Sequence, residues 1–446
     1  MTFSPTDSKI FAPLFSHPDI THIFSDEQFV RYWVKAEVAL ARVQGRLGVI
    51  PAEAAEQITT AGAGFAPDFV TLAAGTDKAG APIIELVRQL RKHVGAEVAP
   101  YVHWGATTQD IMDTALVLQT REALTLLEQT LRGVINNLAE LARQHRHTLM
   151  AGRTHSQQAL PIPFGLKVAG WIAPLLRHRQ RLAQLKPRLL VLQLGGAAGT
   201  LASLGEMGLT VQNGLAEELG LAIPALPWHT QRDALAELAG WLALVSGSLA
   251  KLAQDIILLA QTEVAEVTES VDFGRGGSST MPQKNNPVIS EVIIATARAN
   301  AGLVATMHQA LIQEHERATH GWQVEWLTLP QMFALTAAAL DKTLFLSQNL
   351  VVDSARMRAN VAASLGLMMA EAINFALAEY MDRIAAKQLI AEAGQEALAQ
   401  QRHLVDILQS KVSYPLNWAV LKDETTYFGS AQAFIERVLA QVEDGA

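Results

Sequence analysis

Apolar positions recur along most of this chain at intervals of three and four, the period of a helix that buries one face. From Asp113 to about Arg146 no proline interrupts, and Leu116, Leu124, Leu127, Leu131, Val134, Leu138 and Leu141 fall mostly three or four apart. That spacing predicts one helix of roughly 50 Å at about 1.5 Å per residue. The pattern is stricter at Leu235, Leu238, Leu242, Val245, Leu249, Leu252, Ile256 and Leu259, a heptad seam. Between Trp241 and Leu259 the only charges are Lys251 and Asp255, so the faces outside the seam are also apolar or small. Such a helix must be covered on several sides, which points to an oligomeric bundle.

Further long helices are expected from about Pro161 to Leu185, with a kink at Pro174, from Pro287 to about Glu314, and from Trp322 to Leu350, with a kink near Pro330. Stretches of alternating β-branched and aromatic residues are scarce, so the expected class is all-α. Residues 1–110 hold several helices broken by Gly and Pro, and residues 361–446 hold a second short set. The expected organisation is an N-terminal helical domain over 1–110, a central long-helix bundle over 111–360 with a loop at 270–287, and a C-terminal helical domain over 361–446. With no internal repeat or low-complexity linker, these borders rest on helix length alone.

Composition narrows the function. The chain has 446 residues, half of them hydrophobic, enough for a large core. A formal charge of -8 and scattered Lys and Arg argue against nucleic acid and for a small-molecule partner. The absence of cysteine removes disulfides, thiolate metal sites and Cys nucleophiles, and fits a reducing compartment. The N-terminal MTFSPTDSKIFAPLF lacks a basic region followed by an apolar stretch, so no secretory signal is expected and the cytoplasm is the expected location. Polar residues interrupt the most apolar segment, Trp241 to Leu259, and no membrane span is expected.

The candidate chemistry lies in FGRGGSSTMPQKNNPVISE, from Phe273 to Glu291, a connection of about 20 residues where helix links usually take roughly 2–8. Gly274, Gly276 and Gly277 let backbone approach a ligand, and Pro282 and Pro287 stiffen the far side. Ser278, Ser279, Lys284 and Asn286 supply hydroxyl and amide hydrogen bonds and a positive charge. A solvated Gly/Ser linker is the plain alternative, and a phosphate loop is disfavoured because the GxxxxGK[ST] spacing is absent.

GSSTMPQKNNPVISE resembles the signature of the fumarase/aspartase superfamily, S-S-x-M-P-x-K-x-N with Glu five residues later. HWGATTQDIMDT, from His103 to Thr114, and GRTHSQQALPIPFG, from Gly152 to Gly165, are similar to its two other characteristic regions, in the required order. The likeness is fullest to the bacterial 3-carboxy-cis,cis-muconate cycloisomerases and extends over nearly the whole chain; adenylosuccinate lyases are more distant. Two departures stand out. This chain reads RTHSQ and MPQKNNP where the cycloisomerases resemble RTWLQ and MPHKRNP. His155 thereby matches the Thr-His pair of adenylosuccinate lyase and fumarase, Gln283 matches argininosuccinate lyase, and Asn285 replaces a cation.

The resemblance implies a three-domain helical fold, a homotetramer with a shared bundle, and active sites assembled from several subunits. It implies proton removal or addition next to a carboxylate, through a dianionic aci-carboxylate, on a small di- or tricarboxylate. Ser278 would be the general base and His155 would help protonate the departing group. His103, Thr107, Thr108, Thr154, Gln157, Ser279, Lys284 and Asn286 would bind substrate. Glu291 would orient a neighbour, and Arg232 and Asp233 either act at the site or pair at a helix start. No cofactor is implied, and His315 and His320 lack the HExxH spacing of a metal site. Two rivals remain: a lyase releasing fumarate from a succinyl-amine, and a catalytically silent helical protein of the same fold.

Overall fold

The computed structural model describes residues 4–269, 276–277, 280–317 and 320–443. Short helical segments lead into α1 (Asp26–Arg46), α2 (Ala52–Ala63), α3 (Phe69–Ala79) and α4 (Ile83–Val94). The Ser25 hydroxyl caps α1 by accepting from the Gln28 amide, with Asp26 and Glu27 in the first turn, where the helix dipole favours acids. Asp68 caps α3 in the same way. The long elements follow: α5 (Thr108–Gln144), the strands β1 (Leu149–Thr154) and β2 (Gln157–Pro163), α6 (Phe164–Leu189), α7 (Gly208–Leu219) and α8 (Asp233–Leu259). After β3 (Val267–Thr268) come α9 (Val288–Gln309), α10 (Gly321–Asn349), β4 (Val351–Val352) and α11 (Ser354–Ala362). The C-terminal set includes α12 (Ala370–Leu377), α13 (Arg383–Gln400), α14 (Leu404–Lys411) and α15 (Ala431–Glu443).

The fold is all-α, as the periodicity requires, and every residue of the predicted heptad seam on α8 is at most 3% exposed. Two boundaries differ from the sequence reading. Residues 161–163 belong to β2, so α6 starts at Phe164, where the Phe164 amide bonds Thr148 O at 2.8 Å. The helix after Pro287 ends at Gln309 instead of running on to about Glu314. Both Pro174 and Pro330 lie inside continuous helix.

The chain divides into two compact units. The first comprises Met1–Gln129, His178–Gly247 and Thr296–Ala339. Its core packs Val34, Ile58, Leu86, Leu90 and Ile111 in one cluster, and Leu40, Val43, Leu118, Val211 and Leu215 in another. The second comprises Thr130–Arg177, Ser248–Ala295 and Leu340–Ala446. Ile373, Leu377, Ala393, Leu404 and Leu408 form its C-terminal core, while Leu149, Ala151, Val361 and Met368 seat the β1–β2 hairpin.

Helices α8 and α9 are long and apolar enough, by length and composition, to cross a membrane, yet only 44% and 33% of their most apolar windows are buried within this chain. Leu244 and Leu258 on α8 stand exposed.

Candidate active site

The three segments singled out in the sequence are each held by a buried carboxylate. In the first unit, Asp110 lies in the first turn of α5 and is 1% exposed. Its oxygens accept the amides of Thr107 (3.0 Å), Gly195 (2.9 Å) and Gly196 (2.9 Å) and meet Nε2 of His229 at 2.7 Å. Four partners satisfy the carboxylate and lock the turn bearing Thr107 and Thr108. One helical turn on, Asp113 accepts from Arg232 at 2.7 and 3.0 Å and from Trp322 Nε1 at 3.0 Å. Arg232 also donates through Nε to Glu325 at 2.8 Å, so it is a buried strut beneath this segment. Burial, with Asp113 nearby, outweighs Arg232 and lifts the Glu325 carboxyl above its ordinary range. Asp233, beside it in sequence, is exposed.

His103 precedes this turn in the left-handed region, at φ 64°, and Gly105 follows at φ 76°. A Cβ at Gly105 would sit 2.5 Å from Leu204 Cδ2, so the reversal requires glycine there. His103 Nδ1 lies 2.6 Å from Oε1 of buried Glu37. Burial alone would lower the imidazole pKa, but the facing Glu37 charge and hydrogen bond, helped by Asp110, raise it above the usual histidine value despite Arg91. The Arg317 guanidinium donates to the Thr107 hydroxyl. Sequence reading gave Arg317 no role; it lies in the polar run QEHERATH between two apolar helices.

In the second unit, Thr154, His155 and Gln157 occupy the exposed tip of the β1–β2 hairpin. Thr154 pairs with Gln157, leaving His155 and Ser156 as a two-residue turn with φ 49° and 62°. Both residues in the left-handed region is the type I′ arrangement, which ordinarily takes Asn-Gly; His-Ser costs about 1–3 kcal/mol per strained residue. The strain is held in place from below. Arg153 donates to Glu266 at 2.8 and 2.7 Å, and Asn360 Nδ2 donates to the same carboxylate at 2.8 Å. Glu266 is 0% exposed, and its carbonyl accepts the Asp353 amide at 3.0 Å.

The third segment follows β3. Ser278 and Ser279 lie outside the described residues. Around them, Gly277 bridges Asn285, and the Asn286 amide bonds Gly276 O at 2.8 Å. Gly276 has φ 72°, and a Cβ there would fall 2.3 Å from Asn286 O, so the two ends of the loop close only on glycine. Lys284 is exposed and its amide bonds Met281 O at 3.0 Å. Glu269, 4% exposed, accepts the amides of Ile289 (3.0 Å) and Ser290 (2.9 Å), capping α9, while Asn285 Nδ2 donates to its carbonyl at 3.0 Å. Glu291 is exposed on the first turn of α9. Glu269 thus anchors the helix from twenty residues upstream.

The three clusters offer hydroxyls, amides, imidazoles and two exposed or half-buried cations, the groups that bind carboxylates and stabilise charge developing beside them. Among the described residues no group of three or more His, Asp or Glu side chains is disposed to hold a metal ion.

A family model described as "Lyase" matches residues 15–302. The 3-carboxy-cis,cis-muconate cycloisomerase of Pseudomonas aeruginosa is 47% identical over 442 residues, covering 97% of this chain and 96% of that one. The crystal structure of 3-carboxy-cis,cis-muconate lactonizing enzyme from Pseudomonas putida is similar at a TM-score of 0.93 and 42% identity, covering 98% of this chain and 99% of that one. A crystal structure of fumarate lyase from a Mesorhizobium species is similar at a TM-score of 0.89 and 44% identity, covering 96% and 98% of the two chains.

Proposed function

Because the chain belongs to the lyase family of the fumarase/aspartase superfamily, we propose that it is a 3-carboxy-cis,cis-muconate cycloisomerase whose three anchored segments carry its binding and catalytic groups. The observation that carries this reading is the full-length likeness to cycloisomerases; the carboxylate-binding groups on all three segments support it.

In the lactone-forming direction, a substrate carboxylate oxygen adds to a carbon of the diene and forms a carbon–oxygen bond. The displaced electron pair moves onto the neighbouring carboxylate as an aci-carboxylate, and a proton delivered to the adjacent carbon completes the isomerisation. No atom is gained or lost. Ser278 delivers that proton, and removes it in the reverse direction. A serine hydroxyl is a weak base at neutral pH, so Lys284, loop amides and exclusion of water must favour its ionised form. Lys284, Asn286 and Ser279 hold the carboxylate on which charge develops; losing one such donor costs roughly 2.7–4 kcal/mol of transition-state stabilisation. His103, Thr107 and Thr108, with Arg317, hold a second carboxylate. Thr154 and Gln157 bind a substrate carboxylate, and in the reverse, lactone-opening direction His155 protonates the departing carboxylate oxygen.

The same reading includes a cytoplasmic homotetramer, the three-part division at residues 110 and 360, and sites shared between subunits. The half-covered apolar faces of α8 and α9 support cover by further copies of the chain. A fumarate-releasing carbon–nitrogen lyase is the second reading, favoured by His155, by Gln283 and Asn285, and by the likeness to a fumarate lyase. Absorbance assays with 3-carboxy-cis,cis-muconate, adenylosuccinate and argininosuccinate in parallel decide between them: loss of the diene absorbance with carboxymuconate alone is the expected result, and turnover of either succinyl compound instead would replace it with the second reading.

A further inference from the structure

Glu37 lies on α1, outside the three motif segments, and is 2% exposed. One of its oxygens meets His103 Nδ1 at 2.6 Å; the other, Oε2, is buried and has no hydrogen-bond partner among the described residues. Two turns along the same helix, Gln44 Nε2 donates to Trp104 O at 2.8 Å. Helix α1 therefore holds the 103–104 turn at two points, and His103 sits there at a positive φ that few residues adopt without support. A lone buried carboxylate is costly unless a cation or a proton accompanies it.

We propose that Glu37 is the positioning residue of this site: by holding Nδ1 it presents the opposite nitrogen of His103, with its hydrogen, to a substrate carboxylate. The proposal rests on the reading that segment 103–108 binds a carboxylate. Wherever the shared proton lies along the 2.6 Å line, Nε2 keeps its own hydrogen as long as the pair carries both protons. With a neutral amide in place of Glu37, the imidazole would lose one proton near neutrality, Nδ1 would keep its hydrogen for the amide oxygen, and Nε2 would become an acceptor. A substrate carboxylate would then face a lone pair. The charged groups around the ring are Glu37 on α1, Asp110 on α5 and Arg91 on α4; the two acids favour the imidazolium and Arg91 opposes it.

Nitrogen-15 and carbon-13 histidine spectra of the full-length enzyme, with His103 assigned by its loss in His103→Gln, test this without substrate. Both ring nitrogens should remain protonated in the native protein above the pH at which free histidine titrates, about 6.5. Glu37→Gln should move that titration to lower pH. In turnover of 3-carboxy-cis,cis-muconate, Glu37→Gln should raise KM by about tenfold at pH 8 with a smaller change in kcat, as expected for losing a charge-assisted hydrogen bond. The penalty should shrink as pH falls through the variant's own, lower titration, below which the imidazole is protonated without Glu37. A native titration at or below 6.5 overturns the proposal even if the variant does not fold, and so does a KM penalty equal at every pH. Failure to turn over carboxymuconate bears on the substrate alone, since the spectra are read on free enzyme.

Discussion

Arg153 grips Glu266 through both terminal nitrogens, at 2.8 and 2.7 Å, two residues before the strained turn that carries His155. The pair fixes the hairpin to the segment that enters β3, and so to the stretch leading into the Ser278 loop. Breaking a buried pair by removing one partner typically costs about 3–5 kcal/mol. Arg153 keeps some solvent contact, so Arg153→Ala should lower the unfolding free energy by about 3 kcal/mol, measured by urea denaturation. The double replacement Arg153→Met/Glu266→Leu should recover stability but not kcat/KM, because packing can replace the charges while the hairpin tip loses its fixed aim.

Ser278→Ala should reduce kcat by about 10²–10⁴ while KM changes little, because proton transfer is used only in the transition state. Steady-state kinetics on carboxymuconate check it. Undiminished turnover would remove the serine from the mechanism.

Arg317→Ala should raise KM roughly ten- to a hundredfold with a smaller effect on kcat, the result of losing a charged hydrogen bond to a bound carboxylate. Arg317→Lys should restore only part of the affinity, since an ammonium cannot bond both Thr107 and a substrate carboxylate with the planar fork of a guanidinium.

Stability should also depend on pH through His103. Its folded-state pKa is raised, so the folded chain holds that proton more tightly than the unfolded chain does. The resulting stabilisation is complete below about pH 6.5 and is lost as pH rises through the higher folded value. The melting temperature measured from pH 6 to 9 should therefore fall less steeply in Glu37→Gln/His103→Gln, which has no group to titrate there, than in the native chain.

The long helices were legible because their signal is repetitive: the seam on α8 names its own buried residues, from Leu235 to Leu259. The hairpin was not. Its turn is His155-Ser156 without Gly, Asn or Asp, and Pro161 looks like a helix start although it lies inside β2, paired with Ala151. The loop could be recognised from GSSTMPQKNNP, but not its anchoring, since Glu269 acts across twenty residues and no local spacing betrays it. Buried acids such as Glu37 and Glu266 fall among apolar neighbours in sequence, where a periodic pattern reads them as ordinary surface positions. Only their partners in space reveal their work.

The left-handed turn at the hairpin tip has an evolutionary corollary. Asn-Gly in place of His155-Ser156 would suit the backbone better and should raise the melting temperature while removing the imidazole from the tip. Selection for robustness alone would therefore erase the imidazole.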